Sequence, residues 1–313
     1  MNLIVARFDL MTAPLVSVIV PTYNGKEKVI TLLHALEKQH VSMFEVLVVI
    51  DGSSDNTLQE IESQSWNLHA LKLIEQENKG RAGARNTGAA AAASQQLLFF
   101  DDDMLPDADC IGHHVAFYKE HATAVAMGRI NEPATATDPE IKKYKDYLNT
   151  LWSSSLKPYN QQALPKNKTA LSAANFSISK QLYASMGGFD EALKDIEDYD
   201  FALRIKTKDI LVYYLDNAVA IHNDSFTFRK YAQRSKAYLK NRLLAASLKP
   251  ELYANDPILS HKKSVTQRLV YAIFRYPFWL TMLDSFNICR IFLPEKLRYK
   301  LYGVIITAYV HNQ

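Results

Sequence analysis

Phe44-Glu-Val-Leu-Val-Val-Ile-Asp51-Gly-Ser-Ser-Asp55 is a near-continuous apolar run that closes on a carboxylate and a polar turn. A short, β-branched run with little alternation reads as a strand buried on both faces, and the turn behind it leads into a helix. The same rhythm recurs on either side. Residues 16–20, Val-Ser-Val-Ile-Val, form a strand that Pro21 is expected to close. Residues 26–39 place Val29, Leu32, Leu33 and Leu36 at helical spacing. A third strand is expected over 68–74, an alanine-rich helix over 81–95, and a fourth strand at Leu97-Leu-Phe-Phe100. Strand–helix alternation predicts an α/β fold whose mainly parallel sheet is covered on both faces. In such sheets ligands sit beyond the carboxyl ends of the strands, so the loops at 21–25, 51–55, 78–81 and 101–103 are the ones to read.

The chain has 313 residues, 48% apolar and 22% charged, which excludes wholesale disorder and supplies a large core. Cys110 and Cys289 form no paired motif, so neither a disulfide scaffold nor a zinc site is expected, and a reducing compartment fits. The net charge of +3 conceals a split. Residues 225–313 hold 15 Lys/Arg against 4 Asp/Glu, or +11, which leaves −8 on the first 224. No glycine lies between Gly188 and Gly303, and this Leu-, Tyr- and Lys-rich stretch reads as helical. Residues 1–16 lack an apolar leader core because Arg7 and Asp9 interrupt it. Residues 269–293 are broken by Arg275, Pro277, Asp284 and Arg290, short of the roughly 20 clean apolar residues of a spanning helix. The expected organisation is an extension at 1–13, an α/β catalytic domain at 14–224 and a basic helical region at 225–313. The expected location is cytoplasmic, at most peripheral on the membrane. Residues 133–168 read as a long loop able to act as a lid, and 170–179 as strand-like.

Asp101-Asp102-Asp103 leaves the fourth strand directly. Read as extended chain, Asp101 and Asp103 project together and Asp102 opposite. Two convergent carboxylates call for compensation, which Mg²⁺ or Mn²⁺ with phosphate oxygens would supply. The competing reading is a solvated acidic loop that caps the helix near Pro106.

Taken together, Pro21-Thr-Tyr-Asn24, Val48-Val-Ile-Asp-Gly-Ser-Ser-Asp55, Asn78-Lys-Gly-Arg-Ala-Gly-Ala-Arg-Asn86, Asp101-x-Asp103 and Gly187-Gly-Phe-Asp-Glu191 with Glu197-Asp198 resemble the family 2 glycosyltransferases. The resemblance covers about residues 14–224. It implies a GT-A fold and inverting, nucleotide-sugar-dependent transfer. It also implies a donor pocket lined by Pro21, Thr22, Tyr23 and Asn24, with Asp51 on the base. Arg81 and Arg85 would lie near the nucleotide, and Asp101 and Asp102 near the sugar nucleotide. Asp103 and Asp101 would be metal ligands, with His222 as a third, and Asp198 the catalytic base. Ile50 stands where the family often has a second aspartate, which removes one nucleotide contact.

The chemistry agrees with those roles. A departing nucleoside diphosphate carries charge that a cation neutralises, and the acceptor hydroxyl needs a base on the opposite face of the sugar. Asp198 stands among Asp195, Glu197 and Asp200, where like charges raise a carboxyl pKa. The plainer reading is an acidic helix start favoured by the macrodipole. His113 and His114 read as surface residues. Trp152, Tyr159 and Trp279 either stack on sugar or pack. Residues 225–249 interleave Arg229, Lys230, Arg234, Lys236, Lys240 and Arg242 with aromatic and leucine residues. That helix suits anionic lipid, a lipid-linked acceptor or nucleic acid, or simply packs an apolar face.

The expected function is inverting transfer from a UDP-linked sugar to a hydroxyl of a saccharide or lipid-linked acceptor, in polysaccharide or glycoconjugate synthesis. Mn²⁺ or Mg²⁺ would assist, an anionic membrane is a peripheral partner, and no nucleic acid is expected. A nucleotidyltransferase is the rival enzyme, but the Gly-rich phosphate loop is missing. A catalytically silent nucleotide- or carbohydrate-binding module is the rival of another class, and the joint presence of Asp51, Asp101, Asp103 and Asp198 argues against it.

Overall fold

The computed structural model describes residues 2–8, 13–224, 226–260, 263–286 and 289–312. Its strands are β1 (Asn2–Phe8), β2 (Val16–Thr22), β3 (Phe44–Asp51), β4 (Ala70–Gln76), β5 (Gln96–Phe100), β6 (Met104–Pro106), β7 (Val125–Asn131), β8 (Asn175–Ser179) and β9 (Val212–His222). They form one sheet in the order β1-β4-β3-β2-β5-β8-β7-β9-β6. The parallel heart, β4-β3-β2-β5, is the part that the alternating sequence predicts. Antiparallel β8 joins it at β5, antiparallel β1 adds an edge at β4, and β6 lies antiparallel to β9. The sheet is therefore mixed.

Every residue of β2 and β3 is buried, as an unpatterned run requires. Alternate side chains feed two cores. Val16, Val18, Val46, Val48 and Leu98 pack on one face with Val29, Leu32, Leu33 and Leu36 of α1 (Lys26–Leu36). Ile19, Leu47, Val49, Leu97 and Phe99 pack on the other with the alanines of α3 (Gly80–Ala91), α2 (Thr57–Glu62) having come between in the chain. A Cβ at Gly88 would stand 2.6 Å from a methyl of Ile19, so a glycine there lets α3 lie directly on β2. Pro21 does not close β2. The strand runs on to Thr22, paired with Ile50, because pairing to β5 has ended at Ile19 and only one neighbour remains.

Two further expectations are corrected. Residues 133–168 are not one long loop, since α5 (Glu140–Leu156) fills 17 of them. Ile141, Tyr144 and Leu148 recur there at three- and four-residue spacing, a helical signal hidden among polar residues. Of residues 170–179, only β8 is strand. After α4 (Cys110–Glu120) and α5 come α6 (Lys180–Ser185) and α7 (Glu197–Thr207).

The chain divides into two compact units, residues 1–132 with 149–223, and residues 133–148 with 224–313. The second is helical, as its lack of glycine predicts: α8 (Phe228–Leu248), α9 (Pro250–Tyr253), α10 (Val265–Phe274), α11 (Pro277–Ser285), α12 (Cys289–Phe292) and α13 (Glu295–Val310). Its own core joins Ile141 and Tyr144 to Phe228, Leu280, Tyr302 and Ile305. Arg242 meets buried Asp256 with two guanidinium nitrogens, and Arg298 lies 3.0 Å from Glu140. No helix is long and apolar enough to cross a membrane among the described residues.

His114 is buried, not on the surface as expected. One ring nitrogen lies 2.8 Å from Ser177 Oγ and the other 2.9 Å from Asn175 Oδ1. Burial pushes its pKa down to about 4, so the ring stays neutral. The unfolded chain takes up this proton near pH 6.5 and the folded chain only near 4. Stability is thus complete above 6.5 and falls as pH drops through that window, by about 3 kcal/mol. Denaturant melts from pH 7 to 4 are expected to show this slope, and His114→Gln to flatten it.

Candidate active site

The loops after β2 and β3 are laced together by their own side chains. Asn24, at φ +48°, donates its backbone N–H to Ser53 Oγ and accepts the Ser54 N–H on its side-chain oxygen at 2.8 Å. Asp55 accepts the Lys26 N–H at 3.1 Å and the N–H of Thr57, the first residue of α2, at 3.3 Å. Gly52 takes φ +74°, and a Cβ there would stand 3.0 Å from Asn78, so the turn brings β3 against the loop before α3. Asp51 is buried and aims one oxygen at Gln76 Nε2 (2.7 Å) and the Lys79 backbone N–H (2.8 Å). Pro21 and Thr22 are buried beside this loop while Tyr23 is 57% exposed, a ring presented to solvent at the sheet's ligand-binding end.

Arg85 ties the strand ends to α7. It is 1% exposed, donates to Asp101 Oδ1 with one terminal nitrogen and to Glu197 Oε1 at 2.6 Å with the other. Its position on α3 follows from the helix that the alanine-rich run dictates. Neighbouring Arg81 is exposed and reaches Asp195 at 3.6 Å. Asn86, the next residue, grips the Gly187-Gly-Phe-Asp-Glu191 turn: its oxygen accepts from Phe189 N–H and Tyr183 Oη, and its nitrogen donates to Phe189 O and Glu191. Gly187 and Gly188 hold φ of +77° and +65°, which this turn requires. Asn86→Ala strands several buried partners at once and is expected to cost about 2–3 kcal/mol in equilibrium unfolding.

The three aspartates do not lie along extended chain. They form a turn, and each faces a different partner, because a turn does not alternate its side chains as a strand does. Asp101 goes to Arg85, whose charge, followed by that of Arg81, holds it below the usual carboxylate range against the opposing effect of burial. Asp102 accepts from Thr22 Oγ1 at 2.7 Å and packs so closely on Gly25 that a Cβ would stand 2.2 Å away. Burial pushes its pKa up to about 7. Asp103 goes to His222 and Lys28. The competing idea of a carboxylate capping α4 does not apply to Asp103: it belongs to Asp109, the N-cap residue, which makes no side-chain cap bond either.

Antiparallel pairing of Met104 with His222 sets Asp103 beside the imidazole. His222 Nε2 lies 3.2 Å from Asp103 Oδ1, and Nδ1 lies 3.1 Å from Glu132 Oε1. Lys28 Nζ is 3.0 Å from Asp103 Oδ2. Although burial opposes it, the two carboxylates raise the His222 pKa to about 9, and His222 with Lys28 holds Asp103 well below the usual range. Asp103 Oδ1 is buried and meets His222 Nε2 as an ion pair rather than through a well-aligned hydrogen bond. A buried carboxylate oxygen beside an imidazole nitrogen supplies two donors of the kinds that hold Mn²⁺ or Mg²⁺, while Glu132 sits on the far nitrogen of the ring. Asp101 Oδ1, by contrast, is committed to Arg85.

Asp198 opens α7 with Glu197 and Asp200 in the first turn. Its oxygens accept the Tyr199 N–H at 2.7 Å and the Ala173 N–H at 3.5 Å. Burial, then the charge of Glu197, pushes its pKa up to about 6. Its neighbours are occupied otherwise: Glu197 by Arg85, Asp200 by Arg204 at 2.8 Å, Asp195 by Arg81. Lys28, Glu132 and Asn86 had no role in the sequence reading. Lys28 and Glu132 are ordinary charged residues in the sequence; α1 brings Lys28 to Asp103, and the parallel β7–β9 register, pairing Asn131 with Ile221, brings Glu132 to His222. Trp152 and Tyr159 pack partly buried against the sheet's second core, and Trp279 against the helical core.

The model of glycosyl transferase family 2 matches residues 17–187. The chain belongs to glycosyl transferase family 2. A glycosyltransferase of Haemophilus influenzae is 30% identical over 61% of this chain and 62% of its own length. The chondroitin synthase of Escherichia coli is 32% identical over 63% of this chain and 27% of its own. The chain thus spans less than two thirds of these relatives. Among solved structures, the mannosyltransferase PcManGT of Pyrobaculum calidifontis, in complex with GDP-Man and Mn²⁺, aligns with a TM-score of 0.63 at 18% identity, over 98% of this chain and 90% of that one. TarS 1–349 of S. aureus, in complex with UDP-GlcNAc, aligns at 0.53 and 21%, over 94% and 89%. These likenesses establish the GT-A-like fold of this family 2 chain.

Proposed function

We propose that the chain transfers a sugar, with inversion, from a nucleoside-diphosphate sugar to a hydroxyl of a saccharide or lipid-linked acceptor. The observation that carries this reading is buried Asp103 Oδ1 set 3.2 Å from His222 Nε2, at an edge of the sheet that also positions Asp51 at the end of β3 and Arg85 on α3. Asp103 and His222 would hold Mn²⁺ or Mg²⁺, and the chain offers one more carboxylate two residues on, at Asp224. A divalent ion there would neutralise the charge that develops on the departing diphosphate. Asp51, with Pro21, Thr22, Tyr23 and Asn24 around it, takes the nucleoside. Exposed Arg81 reaches the phosphates, while Arg85 holds Asp101 and Glu197 in place and so fixes the start of α7. Asp102 keeps the Thr22 loop closed. Asp198, raised to about 6, accepts the acceptor's hydroxyl proton as the new bond forms on the sugar face opposite the leaving group.

TarS and PcManGT bind UDP-GlcNAc and GDP-Man, which supports a nucleoside-diphosphate sugar as the class of donor, with a UDP-linked sugar the one this reading favours. A nucleotidyltransferase is disfavoured by the family match. Thermal-shift titration with UDP, GDP, UDP-GlcNAc and GDP-mannose tests the reading. A ligand at 100 times its Kd stabilises by about 2.7 kcal/mol, so a true donor is expected to raise Tm clearly with Mn²⁺ present. Indifference to every nucleotide would remove the donor pocket from the proposal.

A further inference from the structure

We infer that the helical unit, residues 133–148 with 224–313, docks on an anionic lipid surface through the exposed faces of α10 and α11. This does not rest on the transferase reading. α10 is rich in apolar residues, Val-Thr-Gln-Arg-Leu-Val-Tyr-Ala-Ile-Phe, yet none of its residues is buried. Val265, Leu269 and Ile273 are 72%, 63% and 58% exposed. Their spacing of four puts them in one stripe along the helix. Phe278 near the start of α11 and Phe286 just beyond its end are exposed as well, at 61% and 77%. Single exposed apolar residues need no explanation, but a whole unburied apolar stripe does.

The charge around the stripe selects the occupant. Residues 263–300 hold seven Lys/Arg and two Asp/Glu. One of the two, Asp284, is exposed but engaged at the start of α8, where it accepts the Phe228 and Arg229 backbone N–H groups at 2.6 and 3.1 Å. Arg268, Arg275, Lys296 and Lys300 are exposed. Lys263 and Arg275 stack over Tyr271 and Tyr276, so their long stems lie along the same helices as the apolar stripe. A second copy of the chain would cover the stripe but oppose like charges. A nucleic acid would answer the charges but leave the stripe in water. An anionic bilayer surface satisfies both, with the apolar face at the headgroup boundary and the cations at the phosphates. The basic groups of α8 contribute less than its sequence suggests. Arg242 is taken by Asp256, Lys236 by the Asn312 carbonyl, and Arg234 by Tyr238 and Phe226.

Co-sedimentation of the full chain with phosphatidylcholine vesicles, with and without phosphatidylglycerol, tests the inference. The expected result is about tenfold or greater preference for the anionic vesicles at low salt, lost at about 0.5 M salt, where the Debye length shrinks to a few Å. The double variant Leu269→Glu, Ile273→Glu sits on exposed positions, so circular dichroism should be unchanged while vesicle binding falls about tenfold or more. Equal binding to both vesicles, no binding at low salt, or full binding by the variant would each overturn the inference. So would a dimer in sedimentation velocity that the variant dissociates, which would make the stripe an interface between copies. Vesicle binding is read without any donor, so its failure leaves the transferase proposal standing, and failure of the donor assays leaves this one standing.

Discussion

Asp198→Asn is expected to cut sugar transfer by roughly 10²–10⁴ while leaving donor affinity within about twofold. The amide keeps the size of the carboxylate, and its single oxygen can still accept the Tyr199 N–H, the shorter bond at 2.7 Å, giving up only the 3.5 Å contact with Ala173, so α7 should start as before. What it loses is the ability to accept a proton. The wild-type rate should rise with pH through about 6, because burial and Glu197 raise this carboxyl and only its ionised form is a base. The variant should lack that limb. Steady-state kinetics from pH 5 to 8, with donor binding measured alongside, checks both halves. Near-normal turnover would move the base elsewhere, although Glu197 and Asp200 are already held by Arg85 and Arg204.

Asp103→Ala should weaken Mn²⁺-dependent donor binding by about 10²–10³, or roughly 3–4 kcal/mol, with transfer falling at least as far. The change deletes the buried oxygen that faces His222 Nε2 and leaves His222 facing Glu132 alone. In the free protein His222 holds a proton up to about pH 9, and an imidazole must give up that proton to bind a cation. Apparent Mn²⁺ affinity should therefore rise with pH below 9. Calorimetry in two buffers of different ionisation heat reads the proton release directly. Chelator-insensitive transfer at the wild-type rate would place the leaving-group charge on basic side chains, with exposed Arg81 the first candidate.

The parallel heart of the sheet was legible because Val16 to Val20 and Phe44 to Ile50 carry too few polar residues to face water, and only two-sided burial explains that. The rest of the sheet was not. β8 runs antiparallel to β5 and β9 parallel to β7, each far from its partner in sequence, and nothing local specifies those partners. Register explains the rest of the gap. His222 and Asp103 were each singled out, but their meeting depends on the pairing of Met104 with His222, and Glu132 and Lys28 arrive only with the folded sheet. The aspartate run misled for a simple reason: a turn, unlike a strand, does not send alternate residues to one side. α5 was concealed by the Pro, Asn and Lys around it, and His114 by its lack of a nearby carboxylate in sequence, whereas its partners, Ser177 and Asn175, come from a distant strand. The basic excess after residue 224 was visible, but which helix exposes its apolar side was not.

Nucleoside diphosphate release from UDP-GlcNAc and GDP-mannose, with Mn²⁺ and with EDTA, tests the central claim most directly. A metal-dependent nucleotide-sugar transferase releases UDP or GDP together with a freed or transferred sugar, at a rate that EDTA abolishes and Mn²⁺ restores. Release of nucleoside monophosphate or pyrophosphate, or unchanged nucleoside diphosphate release in EDTA, would contradict it.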